Sequence, residues 1–148
     1  MKKLFLALIL SGICFACSND DTEIPEEKYR ISYSGESIEM VQHDTISVTF
    51  NIEQLVTENI NYFFEPIGFV SSETGGTSIS STVMFDGFEY YSSTSNKIAG
   101  VKGDNTFQFI PHDIVPTGIL TIWVSIQYNN QRNKIDIPLK VRPNPDFQ

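Results

Sequence analysis

The sequence predicts an all-β protein, organised as a single β-sandwich behind an N-terminal targeting segment. Along several short segments apolar and polar residues alternate, which is the two-residue period of half-buried β-strands. Clusters of Gly, Pro, Asn, Asp and Ser separate these segments at intervals of about 8–15 residues. After the N-terminal apolar run, no segment has the period of an amphipathic helix. These features predict one core built from about seven or eight strands.

Length and charge limit what the protein can do. The chain has 148 residues, which suits one domain because most domains hold about 100–150. Its formal net charge is −8, and removal of residues 1–16 with their two lysines would make it −10. This acidity argues against a nucleic-acid partner, because nucleic acid recruits Lys and Arg to its phosphates. It equally argues against adhesion to an anionic membrane by charge.

Residues 1–16 are predicted to be a cleaved signal peptide. Lys2 and Lys3 precede an apolar run over residues 4–13, and the small residue Ala16 stands where the pattern breaks. Polar residues follow too soon for a membrane-spanning helix, which needs about 20 apolar residues.

The residues Phe15-Ala16-Cys17 resemble the end of a bacterial lipobox, in which the cysteine becomes the first mature residue and carries lipid. The chain departs from the lipobox at one position, because it has Cys14 where the family usually has Leu, Val or Ile. Cys14 itself is a poor candidate for the lipidated cysteine, because the residue before it, Ile13, is too large for the cleavage position. The resemblance implies lipidation of Cys17 and an outer-membrane lipoprotein, on the periplasmic face or at the cell surface. A plain secreted protein is the alternative. With both cysteines used in this way, the mature domain has no thiol for catalysis or for zinc.

Residues 17–28 are expected to form a flexible acidic tether. Five of the eight residues 20–27 are acidic, so the segment cannot bury enough apolar surface to offset its chain entropy. Residues 18–21, Ser-Asn-Asp-Asp, resemble the acidic export tags of surface lipoproteins of the Bacteroidota. A plain solvated spacer is the alternative.

The sandwich is expected to span residues 29–143, with a tail over residues 144–148. Its clearest early strand places Ile46, Val48, Phe50 and Ile52 on one face. A later strand, stopped by Pro66, has aromatic residues on both faces, which predicts that both faces are covered. The predicted strands of this half are residues 29–33, 38–40, 46–52 and 60–65.

In the second half, residues 71–82 are rich in Ser, Thr and Gly and predict a long loop or a hairpin turn. The closing pair of strands forms a predicted hairpin around an Asn-rich loop at residues 129–133. Because Pro138 cannot donate to a ladder, the last strand is predicted to lie at a sheet edge or to be bulged. The predicted strands of this half are residues 83–91 with a turn inside, 98–101, 106–110, 119–128 and 135–141.

The order of these features resembles the final strands of bacterial immunoglobulin-like domains. The resemblance covers residues 106–142 well and residues 29–65 loosely, and it implies an immunoglobulin-like or fibronectin-like sandwich without implying an activity. With its lipoprotein signal and the aromatic strand over residues 62–68, the chain is also similar to the TraQ-type lipoproteins of conjugative transposons in the Bacteroidota. That similarity implies an accessory role in a transfer or export apparatus and a protein partner in the envelope.

The chain has two histidines, and each precedes an aspartate, in His43-Asp44 and His112-Asp113. Brought together, they would form a metal site or an acid–base pair. Taken singly, each is a turn dipeptide between strands, and the lack of zinc-binding or hydrolase motifs favours turns. We therefore expect no cofactor and no enzymatic activity. An enzyme would require the two histidines within about 5 Å of each other in a cleft.

Two acidic loops are candidate calcium sites. Asp86-Gly87 and Gly103-Asp104-Asn105 carry oxygen ligands, but they lack the closely spaced acids of a dedicated calcium loop. Turns are therefore predicted at both.

Three aromatic residues are candidates for surface recognition. Trp123 shares the polar face of its strand with Thr121 and would offer its ring to a partner or a sugar, unless another segment covers it. Tyr90 and Tyr91 lie beside a Ser/Thr loop and would stack on a glycan, or would belong to the sandwich core with Phe88. The sequence thus predicts a non-enzymatic, lipid-anchored envelope protein that binds another protein, with a surface glycan-binding lipoprotein as the alternative.

Overall fold

The computed structural model describes residues 26–70, 76–91, 97–128 and 131–147, most of which lie in β-strands. The predicted signal peptide, the lipidation site Cys17 and most of the predicted tether lie outside the described residues. The strands are β1 Tyr29–Ser32, β2 Ile38–Val41, β3 Ile46–Gln54, β4 Tyr62–Val70, β5 Thr77–Ser78, β6 Ser81–Phe85, β7 Phe88–Tyr91, β8 Ile98–Gly100, β9 Gly103–Pro111, β10 Val115–Ile126 and β11 Arg132–Arg142, and a 3₁₀ turn spans Pro145–Phe147.

The strands form two sheets. Sheet A has the order β1-β3-β9-β6-β7, and sheet B has the order β2-β11-β10-β4-β5, with β8 also pairing with β4. The β2–β11 pair is parallel, whereas the other described pairs are antiparallel. The sets β1-β3-β9-β6 and β4-β10-β11 reproduce the two sheets of an immunoglobulin-like sandwich. The predicted fold class is therefore confirmed.

The core lies between the two sheets. Side chains alternate between the two faces of a strand, so every second side chain points into this space. Its centre is Phe64 on β4, whose ring centroid lies 5.1 Å from that of Phe50 and 5.2 Å from that of Phe85, both edge-on. The ring of Phe107 joins the same cluster at 5.9 Å. Burying each such side chain contributes about 1.5–3 kcal/mol. The face predicted for β3 is inward as expected, since Val48, Phe50 and Ile52 are buried.

Tyr29 ties the first strand of sheet A to the closing hairpin of sheet B. Its buried hydroxyl donates to the carbonyl oxygen of Val124, 2.6 Å away, and accepts from the backbone N–H of Asn133 at 3.2 Å. The side-chain amide of Asn133 returns a bond to the carbonyl oxygen of Tyr29 at 3.1 Å. Three hydrogen bonds therefore close this side of the sandwich.

One predicted turn and the predicted position of the last strand can be compared with the structure. Asp86 and Gly87 both have positive φ, 51° and 79°, which is the backbone of a type I′ turn, and they join β6 to β7. Of the two alternatives predicted for the last strand, the edge position is wrong, because β2 pairs with β11 from Leu139 onward. A local irregularity is present, as a register shift of the β10–β11 ladder between Val115 and Gly118, opposite Val141 and Leu139. Pro138 lies one residue before the β2–β11 ladder begins, so at Pro138 the described pairing is with β10 alone.

Candidate functional site

The two outer faces of the sandwich differ in chemistry. On sheet A, the central strands β3 and β9 present polar residues outward, and these residues pair across the strands. Thr49 and Thr106 share a hydrogen bond of 2.7 Å, and Asn51 donates to Asp104 at 2.8 Å. This is the usual solvated face of an antiparallel sheet.

On sheet B, the central strands β4 and β10 present mostly apolar residues outward. These side chains are only partly buried, and they occupy neighbouring positions across the two strands. We call this surface the sheet B face. Its apolar members are Phe63, Ile67 and Phe69 on β4 and Ile119 and Trp123 on β10.

Trp123 lies near the middle of the sheet B face. The period of two places it outward, as predicted, between Glu65 on β4 and Lys134 on β11. The guanidinium carbon of Arg132 lies 4.0 Å from the centroid of the indole ring, a cation–π contact. Arg132 also donates to the carboxylate of Glu65 at 2.9 Å, so one side of the ring is held by an ion pair.

The other side of Trp123 borders a groove of about 280 Å³. Its apolar walls come from Phe69 and Ile119, and its polar wall comes from Thr121, Lys134 and Asp136. Arg132 stands opposite Ser125, two residues beyond Trp123 on β10, whereas Thr121 and Ile119 precede Trp123. The groove and the arginine are therefore on opposite sides of the indole.

Asp136 is the acidic group of the groove. Burial raises its pKa, but hydrogen bonds from Lys134 at 2.6 Å and Thr121 at 2.7 Å, together with the charge of Lys134, lower it more. The resulting pKa lies below its usual value, so the carboxylate is ionised at neutral pH. The groove thus offers an aromatic wall beside a fixed carboxylate and a cation.

Tyr90 and Tyr91 point to opposite faces of the strand β7. Tyr90 packs against the core of the sandwich, whereas Tyr91 points outward and is 56% exposed. Both lie on β7 at the edge of sheet A, and Trp123 lies in sheet B. The structure therefore does not bring the three predicted recognition residues into one site.

The two histidines, by contrast, are brought together from distant segments. His43 lies between β2 and β3, and His112 lies between β9 and β10, so both connections pass from one sheet to the other. Their Nδ1 atoms are 3.3 Å apart, and the ring centroids are 5.5 Å apart. The reading of each His-Asp pair as an isolated turn dipeptide is incomplete, because the two rings share a hydrogen bond.

This contact does not by itself make a catalytic centre. Nε2 of His112 lies 2.8 Å from the hydroxyl of Thr82, which gives the hydroxyl–imidazole order of an activated nucleophile. Thr82 is only 6% exposed, however, so it is largely shielded from solvent. Neither of the two described grooves, at Trp123 and beside Tyr128, is lined by a histidine.

The residues weighed as calcium ligands have structural roles. Asn105 is buried, and its side chain bonds the backbone of Val101 in both directions at 2.8 Å and that of Gly103 at 3.0 Å. Asp86 occupies the first central position of the β6–β7 turn. Within the described ranges, no three His, Cys, Asp or Glu side chains group closely enough to hold a metal.

Sequence reasoning located Trp123 but missed the groove around it. Phe69, Ile119 and Lys134 become neighbours of Trp123 only through the pairing of three strands. The available signal is the aromatic residues on both faces of residues 60–65, which predict a strand covered on both sides. In the structure Phe64 is fully buried and Phe63 is partly exposed.

In the part of the chain that the structure describes, no helix is long and apolar enough to cross a membrane. No family model matches the chain, and no curated protein is similar enough in sequence to match it.

The chain is similar in structure to two solved bacterial proteins. One is a conjugative transposon lipoprotein from Bacteroides eggerthii, with a TM-score of 0.56 at 5% identity, covering 76% of this chain and 96% of that one. The other is the CooA pilin subunit from enterotoxigenic Escherichia coli, with a TM-score of 0.53 at 11% identity, covering 80% of this chain and 100% of that one. At these identities the likeness shows a shared fold. The expected similarity to conjugative-transposon lipoproteins is confirmed at that level.

Proposed function

We propose that this chain is a non-enzymatic, lipid-anchored protein of the bacterial outer membrane whose sandwich binds another envelope protein through the sheet B face. Its role would be that of an accessory to a conjugative transfer or export apparatus. The observation that carries the proposal is the contrast between the polar outward residues on the central strands β3 and β9 of sheet A and the mostly apolar ones on the central strands β4 and β10 of sheet B.

The sheet B face has the chemistry of a protein-binding surface. It combines five apolar side chains with two ion pairs, Arg132–Glu65 of 2.9 Å beside Trp123 and Lys134–Asp136 of 2.6 Å on β11. Aromatic residues and arginine are enriched in protein interfaces and often act as their anchors. The face is partly exposed, with Arg132 stacked on one side of Trp123. On sheet A the exposed aromatic residues, Phe88 and Tyr91, lie on the edge strand β7 and not on the central strands.

The sequence supports the proposed lipid anchor, and the fold supports the proposed role in a conjugative transfer or export apparatus. Cys17 stands at the position that the lipobox resemblance assigns to the lipid, and a diacylated cysteine satisfies the need for more than one acyl chain in stable anchoring. The conjugative transposon lipoprotein from Bacteroides eggerthii shares the fold.

The proposal is tested by cross-linking intact cells and purifying the tagged full chain from detergent-solubilised membranes. We expect the wild-type protein to recover a discrete partner. Trp123→Ala should reduce that recovery by about 10-fold or more, because a central aromatic anchor often contributes about 2 kcal/mol or more to binding. Thr106→Ala, on the outer face of sheet A, is the matched control and should leave recovery unchanged.

Two outcomes would contradict the proposal. A protein that stays a solitary monomer in these cells would remove the partner. An unmodified amino terminus, with Cys17→Ser and wild type both free in the culture fluid, would remove the anchor.

The groove beside Trp123 also favours a second candidate, a surface lipoprotein that binds glycan. A sugar ring stacks on an aromatic wall and uses carboxylate and cationic groups for its hydroxyls, and Trp123, Asp136 and Lys134 offer these groups. Because Trp123 is the single tryptophan of the chain, its fluorescence reports on this groove directly. Saturable changes on titration with host or plant polysaccharides, retained in Tyr91→Ala, would support this candidate. A flat response across both sets would remove it.

A further inference from the structure

We propose that His43 and His112 form a two-imidazole binding site for a divalent transition-metal ion, of which Zn²⁺ is the probe. The site is separate from the sheet B face and does not depend on the function proposed above. It joins two segments that each cross between the sheets.

The spacing of the two nitrogens fits a shared ion. Zinc binds imidazole nitrogen at about 2.0–2.1 Å with tetrahedral angles, which places two ligand nitrogens about 3.3–3.4 Å apart. The Nδ1 atoms of His43 and His112 are 3.3 Å apart. The ring centroids are 5.5 Å apart, and two imidazoles on one tetrahedral ion would have theirs at about 5.2 Å. Binding therefore needs a movement of a few tenths of an ångström.

The surroundings of His112 suit a metal ligand. Histidines that bind metal usually donate their other ring N–H to an acceptor, which fixes the tautomer and the ring orientation. Nε2 of His112 lies 2.8 Å from the hydroxyl oxygen of Thr82, which can accept that bond. Nδ1 of His112 then carries a lone pair toward His43. Binding requires His43 in the tautomer that carries its proton on Nε2, so that both Nδ1 lone pairs meet at the ion.

Both histidines are held by their backbones. The N–H of His43 donates to the carbonyl oxygen of Pro111 at 2.8 Å, and the N–H of His112 donates to that of Ser80 at 2.8 Å. The side-chain amide of Gln42 donates to the carbonyl oxygen of His112 at 2.6 Å. His43 itself has a φ of 67°, in the left-handed region that residues other than glycine rarely adopt. The backbones that carry the two rings are therefore held before any ion arrives.

The aspartate that follows each histidine is not placed as a ligand. The carboxylate of Asp113 accepts a hydrogen bond of 2.7 Å from the backbone N–H of Ser80. The side chain of Asp44 is exposed. Among the described side chains, no third His, Cys, Asp or Glu joins the pair. Water would complete the shell, as at metal sites with open positions. Imidazole ligands suit zinc, copper and nickel, with copper expected to bind most tightly of the three.

The test is calorimetric titration of the untagged full chain in detergent with Zn²⁺, using Cys14→Ser and Cys17→Ser in every sample so that no thiolate competes. We expect one ion per chain and a higher Tm in its presence. His43→Asn should abolish both effects, because asparagine tolerates the left-handed backbone but removes the imidazole. Thr82→Val, which removes only the acceptor for His112, should weaken binding by about 10–100-fold.

Asp44→Asn is the matched control, since it changes the neighbouring residue and leaves both imidazoles, and its affinity should equal that of the parent. A chain that binds no Zn²⁺, Cu²⁺ or Ni²⁺ would overturn the proposal and leave the pair as a structural hydrogen bond. Binding that survives in a folded His43→Asn protein would overturn it equally, because the ion would then lie elsewhere.

Discussion

Phe64→Ala is expected to lower the free energy of unfolding by about 3–5 kcal/mol, the cost of removing a fully buried aromatic ring and leaving a cavity. Phe64 is 0% exposed, and it contacts aromatic rings from three other strands. Phe50 and Phe107 come from sheet A opposite it, so the ring joins the two layers. The loss should appear as a lower midpoint in urea or guanidinium unfolding of the purified domain.

Phe63→Ala is the matched control, because Phe63 is the preceding residue and its side chain points to the partly exposed outer face. Its expected cost is less than half that of Phe64→Ala. Equal costs for the two substitutions would contradict the assignment of inner and outer faces on β4.

Tyr29→Phe is expected to cost about 1–3 kcal/mol although it removes a single oxygen atom. The change leaves the carbonyl oxygen of Val124 and the N–H of Asn133 without their bonds to the hydroxyl, and a buried group without a partner costs about that amount. Denaturant unfolding at neutral pH measures the effect. Tyr128→Phe, at a side chain that is 97% exposed, should change stability little.

The same tyrosine gives the fold a dependence on alkaline pH. Burial raises the pKa of Tyr29, with the hydrogen bond from Asn133 opposing and the charge of Tyr62 adding, and burial also raises the pKa of Tyr62. In the unfolded chain both ionise near pH 10, so the unfolded state releases protons first as the pH rises. The contribution is therefore fully present below about pH 10 and is lost as the pH rises toward the folded-state pKa values, by up to about 1.4 kcal/mol per pH unit for each group.

Unfolding followed from pH 8 to pH 11 checks this dependence. Tyr29→Phe should show a shallower decline than the wild type, because one of the two titrating groups is gone. An identical decline in both proteins would show that Tyr29 ionises alike in the folded and unfolded states.

The sequence predicted the features of the fold that follow from local periodicity. Alternation over residues 46–52 and 119–126 correctly assigned the inward rows and the outward position of Trp123. The predicted continuation of the inward row to Tyr128 is wrong, because β10 ends at Ile126 and Tyr128 is exposed. The same period separates Tyr90 from Tyr91, which are adjacent and therefore face opposite ways. The Asp86-Gly87 turn was predictable because its backbone needs residues that tolerate positive φ.

What the sequence could not predict depends on contacts between distant segments. Pro138 predicted that β11 lies at the edge of its sheet. The structure instead pairs β11 with β2 from Leu139 onward, and β2 lies too far earlier in the chain for a local pattern to reveal this pairing. The contact between His43 and His112 joins residues 69 positions apart. The groove beside Trp123 likewise requires the register of three strands, which no local pattern contains.

The central claim, that the sheet B face is the surface by which this protein meets its partner, is tested most directly by site-specific photo-cross-linking in intact cells. A photoreactive phenylalanine at Phe69 lies on that face beside the groove, and the same amino acid at Thr106 lies on the polar face of sheet A. We predict a discrete cross-linked protein from position 69 and none from position 106. Cross-linking from position 106 with none from position 69 would contradict the claim.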